Sequence, residues 1–202
     1  MHHLLDTLAS GIHDTKNQLF IAESLIAASE AKHHIDLSEA RYAIEAAAER
    51  LSRTLAAYRL MRRGANLAIM PCIVADLCAE VALAQRQHLA TAGIALAVDC
   101  QFVDEWPLDR DLISDILNNA VQNAGRFARQ AVTLSAMADG GGLLFRVEDD
   151  GPGFNSLPPK MNTGLLVAER LAQLHVRRGC PGELRLDNNS RRGGARFELW
   201  LP

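Results

Sequence analysis

Residues 3 to 63 contain one glycine and no proline. That scarcity of helix breakers constrains the first third of the chain more than any other feature, because glycine and proline cost about 1 and 3 kcal/mol inside a helix relative to alanine. Along this stretch Leu5, Leu8, Ile12, Thr15, Leu19, Ala22, Ile26 and Ser29 follow alternating steps of three and four, and so do Leu37, Ala40, Ile44, Ala47, Leu51, Thr54, Tyr58 and Met61. Each series is a heptad seam. "KHHIDLSE" joins them, and Asp36 or Ser38 is expected to cap the second helix. Two helices cannot hide two seams of this length from water. The hairpin, residues 1–64, is therefore expected to pair with a second copy as a homodimeric four-helix bundle. The competing expectation is that it packs on the rest of its own chain.

Inside the first helix stands "SGIHDTKNQLF". Ile12 and Thr15 lie on the seam, and His13 emerges at its edge. Asn17, four residues on, shares the face of His13. A neutral imidazole is a nucleophile near pH 7, and Asp14 can hold the proton of the other ring nitrogen. Polar residues on a helix face are common, so this stretch alone favours an ordinary solvated face, and the rest of the chain must decide.

The remaining residues, 65–202, alternate strand and helix patterns without βαβ regularity. "NLAIM" reads as a strand, and "PCIVADLCAEVALAQRQHLATAG" as a helix opened by Pro71 and closed by Gly93. "IALAVDC" is a strand. "PLDRDLISDILNNAVQNAGRFA" is a helix with Asp109 as its cap. "QAVTLSAMAD" and "LLFRVEDD" form a hairpin around a glycine turn. "NTGLLVAERLAQLH" is a helix, and "ELRLDNN" and "ARFELWL" close the chain as strands. The fold class expected is α+β, with helices on one face of a sheet. Neither GxxxxGK[ST] nor GxGxxG occurs.

Bulk properties remove several function classes. A formal charge of −3 gives no broad basic signal for nucleic acid, and the short clusters "HVRRG" and "SRRGG" read as solvated loops. Cys72, Cys78, Cys100 and Cys180 have no zinc-like spacing and read as reduced thiols of a cytoplasmic protein. No signal peptide is visible. No segment reaches the ~20 apolar residues of a membrane span, so a soluble chain without a sensor region of its own is expected. His175, at a helix end, reads as a cation suited to the helix dipole; His33 and His34 read as solvated turn residues, and Trp106 and Trp200 as packing residues.

Three further stretches resemble the boxes of the sensor histidine kinases of two-component systems. "ILNNAVQNAGRF" is similar to the N box, with Asn119 and Asn123 four apart on one face and Asn123-Ala124 at the metal-ligand position. "VEDDGPGF" is similar to the DxGxG motif of the G1 box, and "GGARFELWLP" to the strand that closes the ATP-binding domain. "HDTKNQL" in turn resembles the phosphoacceptor box. The order along the chain fits as well. The resemblance implies a histidine kinase ATPase sandwich behind the hairpin. It implies ATP and Mg²⁺ held by Asn119, Asn123 and Arg126, with Asn123 on the metal, an amide oxygen being a hard ligand. Asp149 would accept from the adenine amino group, and Gly151 and Gly153 would let the backbone pass the base. His13 would be phosphorylated, with Asp14 assisting and Asn17 supporting phosphatase chemistry. The partner implied is a response regulator receiver domain, and a separate sensor protein is a possible second partner.

The G2 box departs from the family pattern. In "NTGLLVAERL", Thr163 and Gly164 fit, whereas Asn162 and Leu166 stand where glycines are usual. Leu166 is expected to crowd the approach of a helix N-terminus to phosphate. The lid, "NSLPPKMN", is short, and Lys160 is its one cation. Two other readings follow: a histidine phosphotransferase on a kinase-like fold that binds no ATP, and a non-catalytic partner-binding module.

Overall fold

The computed structural model describes residues 15, 18–19, 21–22, 25–26, 28–30, 32–33, 35–44, 46–47, 51, 67–156 and 163–202. The chain divides into two compact units, Met1–Ala65 and Asn66–Pro202.

In the first unit, the described residues from Thr15 to His33 are helical, residues 35–37 are not, and the described residues from Ser38 to Leu51 are helical again. Asp36 supplies the expected cap: its Oδ1 accepts from the Ser38 N–H at 2.9 Å. Glu30 fastens the second helix's start to the first, accepting from the Leu37 N–H at 2.8 Å and pairing with Arg41 at 3.3 Å. Leu19, Ala22, Ile26 and Ser29 are half-buried along the seam. Ile21 and Leu25 remain 58% and 63% exposed.

The second unit is a five-stranded mixed sheet with three helices. Its elements are β1 (Met70–Ile73), α1 (Val74–Thr91), β2 (Ala95–Cys100), β3 (Glu105–Leu108), α2 (Arg110–Phe127), β4 (Ala131–Asp139), β5 (Gly142–Asp149), α3 (Thr163–Leu174), β6 (Val176–Arg177), β7 (Cys180–Pro181), β8 (Glu183–Asp187) and β9 (Arg196–Leu201). Strand order in the main sheet is β2-β4-β5-β9-β8. The β2–β4 pair is parallel and the others are antiparallel.

Register explains why the helices lie on one face. Leu134, Val147, Phe197 and Leu186 stand side by side across four strands, as do Ala136, Phe145, Leu199 and Leu184. The intervening rows are polar: Ser135, Arg146, Glu198 and Arg185, then Thr133, Glu148, Arg196 and Asp187. Period two sends one set to each face. The apolar set meets Leu77, Val81, Ile113, Leu117, Val121 and Leu171, all buried on the helices. The polar face pairs its own charges, Arg146 with Glu198 at 2.8 Å and Arg196 with Asp187 at 2.6 Å.

Three boundaries differ from expectation. Pro71 lies in β1 and does not open α1. Pro107 likewise lies in β3, opposite Pro71 in an antiparallel two-stranded ribbon. Such a ribbon has free edges, so two residues without an N–H are tolerated there. The small ribbon β6–β7 was also unforeseen; it turns through Arg178 (φ 51°) and Gly179 (φ 80°), a pair of positive φ angles that suits a tight hairpin.

Candidate functional site

Helix α2 is placed by its cap. The Asp109 Oδ1 accepts from the Leu112 N–H at 3.2 Å, as expected, and Oδ2 accepts from Ala68 N–H at 2.9 Å. The backbone N–H of Asp109 donates to Nε2 of His175 at 3.2 Å, and Nδ1 of His175 lies 3.0 Å from the Leu171 carbonyl. With Nε2 accepting, Nδ1 carries the proton, so the ring is neutral. Burial holds its pKa below the usual histidine value. His175 is thus not the cation expected at a helix end: it pins the end of α3 to the start of α2.

The apolar face of α2 turns Asn118 and Asn119 to different tasks. Asn118 Oδ1 accepts from Gln85 Nε2 on α1 at 2.9 Å. One turn further on, Asn123 Nδ2 lies 3.4 Å from Asn119 Oδ1. That contact orients the Asn123 amide so that its Oδ1 accepts no hydrogen bond from the described residues. Gly125 lets α1 approach, since a Cβ there would strike the Leu89 side chain. Arg126 is exposed in the last turn, and Phe127 is 62% exposed.

At the end of β5, Asp149 is 4% exposed. Its Oδ1 accepts from the N–H groups of Gly151 at 2.8 Å and Ala195 at 3.2 Å. Oδ2 accepts nothing from the described residues. Burial raises the carboxyl pKa above its ordinary value, and the two backbone donors oppose that rise. Gly151 is buried, and a Cβ on it would reach the Phe127 backbone. Gly153 has φ 76°, a conformation open to glycine.

Between these elements lies a cleft of about 540 Å³, measured to its open mouth. Asn123 and Asp149 are its polar members. Ala124, Phe127, Val147, Phe154, Leu165 and Phe197 are among its apolar walls. An apolar slot with one unfilled carboxylate oxygen suits a flat ring bearing an N–H donor.

The fold brings together Asn119, Asn123, Asp149, Gly151 and Gly153. Arg126 stands one residue before the lining Phe127. Thr163 and Gly164 open α3, and Leu165 after them is buried against the cleft. Leu166 is 47% exposed and lines no part of this apolar wall. His13, Asp14, Asn17 and Lys160 lie outside the described residues.

Several contributors were not foreseen. "SRRGG" is no mere solvated loop: Gly194 is buried, and a Cβ there would collide with the Asp149 carboxylate and the Gly151 backbone. Ser190 Oγ donates to the Asp149 carbonyl at 2.8 Å. Asp150 accepts from the N–H groups of Arg129 (2.7 Å), Gln130 (3.1 Å) and Ala131 (3.3 Å). Those bonds, Gln130 foremost, hold its pKa below the carboxylate norm. The doubled glycine in "RRGGAR" was the available signal, since a tight approach is what glycine pairs allow.

Residues 108–202 match the family described as histidine kinase-, DNA gyrase B-, and HSP90-like ATPase. Solved structures of similar fold include the Acinetobacter baumannii histidine kinase AdeS, at TM-score 0.66 and 15% identity over 92% of this chain and 95% of that one. The cytoplasmic segment of histidine kinase QseC matches at TM-score 0.60 and 17% identity, covering 76% of this chain and 94% of that one. Full-length ShkA in complex with AMPPNP matches at TM-score 0.67 and 21% identity, covering 98% of this chain and 45% of that one. Among curated protein sequences, none matches.

Proposed function

From a chain whose residues 108–202 match the histidine kinase-, DNA gyrase B-, and HSP90-like ATPase family, in the fold of histidine kinases, we propose a two-component histidine kinase. It binds ATP in the α2–β5–α3 cleft and phosphorylates its own His13. An aspartate of a response regulator receiver domain then takes the phosphoryl group. The observation that carries this reading is the Asp149 carboxylate. It is buried, one oxygen is saturated by two backbone N–H groups, and the other is unfilled beside an apolar slot. That oxygen accepts the adenine amino group. ShkA, of similar fold, was solved with AMPPNP, which supports a nucleotide in this cleft.

The donor set also fits a magnesium ion: the Asn123 Oδ1 is an uncommitted hard oxygen, oriented by Asn119. Mg²⁺ there would neutralise phosphate charge. Arg126, Thr163 and Gly164 are proposed to meet the phosphates, with Lys160 reaching the γ-phosphate. His13 attacks the γ-phosphorus, the bond to the β,γ-bridging oxygen breaks, and ADP leaves. Asp14 holds the proton on the other imidazole nitrogen, and Asn17 supports phosphatase chemistry by orienting a water that takes the phosphoryl group as inorganic phosphate. Phosphoryl transfer of this kind rests on positioning and charge neutralisation. The domains proposed are 1–64 for dimerisation and phosphoacceptance and 65–202 for nucleotide binding. Exposed Ile21 and Leu25, four apart on the first helix, support a homodimer through the hairpin. Among the described residues no helix is long and apolar enough to cross a membrane, and a cytoplasmic location is proposed.

The phosphotransferase alternative rests on the altered G2 box, with Asn162 and Leu166 where glycines are usual, and on the short lid. Calorimetric titration with ATP and Mg²⁺ is the test: a micromolar to millimolar Kd supports the kinase, and no binding at several millimolar transfers support to the phosphotransferase.

A further inference from the structure

We infer that Asn188, in the β8–β9 turn, is a positioning residue that holds Phe154 in place as a wall of the cleft; the inference rests on the nucleotide reading above. Phe154 follows the Gly151–Gly153 turn and belongs to none of the strands. Its backbone nevertheless has both groups satisfied by one side chain. The Phe154 N–H donates to Asn188 Oδ1 at 2.7 Å, and Asn188 Nδ2 donates to the Phe154 carbonyl at 2.9 Å. The amide thus plays the part of a neighbouring strand, pairing donor with acceptor and acceptor with donor. Gly153 completes the fit, since a Cβ there would lie 2.7 Å from the same Oδ1. Asn188 sits two residues beyond Leu186, which lines the cleft with Phe154. One turn therefore carries one wall residue directly and the other through its side-chain amide. The same turn reaches Asp149 through Ser190 and Ala195, so base acceptor and apolar wall share one support.

The test uses the full chain as wild type, Asn188→Ala and Asn188→Asp, with Gly153→Ala as an independent variant. Kd values for ATP with Mg²⁺ and for ADP are read by calorimetry, Phe154 amide exchange by NMR, and stability by thermal melting. Two neutral hydrogen bonds correspond to about a five- to 150-fold weakening. Asn188→Ala is expected to raise both Kd values by that factor and to speed Phe154 exchange about tenfold or more, with Tm within about 2 °C of wild type, exposed turn bonds adding little to global stability. Asn188→Asp keeps only the acceptor and is expected between the two. Gly153→Ala is expected to weaken binding too, and less so in the Asn188→Ala background, where its clash partner is gone. Nucleotide affinity unchanged in Asn188→Ala, or Phe154 exchange unaltered, overturns this inference alone. A wild-type chain that binds no nucleotide overturns the reading above and this inference with it.

Discussion

Replacing Asp149 by asparagine separates what the site does for binding from what it does for folding. The asparagine Oδ1 can still accept from Gly151 and Ala195, so the turn survives. Its Nδ2, standing where the unfilled Oδ2 was, presents a donor to the donor amino group of adenine. A hydrogen bond to a charged group contributes about 1.5–3 kcal/mol, so Kd for ATP is expected to rise about ten- to hundredfold or more. Stability moves the other way. Burial raises the folded-state pKa of Asp149 above its ordinary value. A raised carboxyl pKa gives stability that is fully present below the unfolded value, near pH 4, and lost as pH rises through the folded one. At pH 7 the ionised, buried carboxylate is therefore a burden that asparagine lacks. Melting of both proteins at pH 7 and pH 4, beside calorimetry at pH 7, reads both effects. The variant should melt at or above wild type at pH 7, and the difference should shrink or reverse toward pH 4. Unchanged ATP affinity refutes the assigned role of Oδ2, and a fall in Tm of more than about 5 °C at pH 7 refutes the electrostatic argument.

Two further perturbations address the frame around the cleft. His175 has a folded pKa below the usual histidine value, so its stability contribution is present above the unfolded value, near 6.5, and lost as pH falls through the folded one; His175→Phe should melt lower than wild type at pH 7 and lose the pH dependence below 6.5, checked by melting at pH 7.5 and 5.5. Gly194→Ala drives a Cβ into the Asp149 carboxylate and should cost about 1–3 kcal/mol by overpacking together with ATP binding, measured by urea unfolding and calorimetry; a fully stable, binding-competent variant contradicts the packing described.

Periodicity made the helices of the second unit legible, because α2 and α3 each keep an apolar face and α2 has a readable cap in Asp109. The hairpin of β4 and β5 was equally legible from its alternation and glycine turn. The short ribbons were not, since β3 and β6 have too few residues to display a period, and the prolines of β1 and β3 pointed toward helix starts and turns. Within the site, Asn123, Asp149, Gly151 and Gly153 are contiguous motifs and could be read locally. Gly194, Ser190 and Asn188 act on residues some 34–45 positions away, across a strand pairing that only the folded sheet specifies. His175 was misread for the same reason: nothing in its neighbours along the chain announces that Asp109 lies against it.

Incubation of the purified chain with γ-labelled ATP and Mg²⁺ tests the central claim most directly. The account predicts acid-labile, alkali-stable label on wild type and none on His13→Ala, which should still bind ATP with wild-type affinity. Label retained on His13→Ala would contradict it.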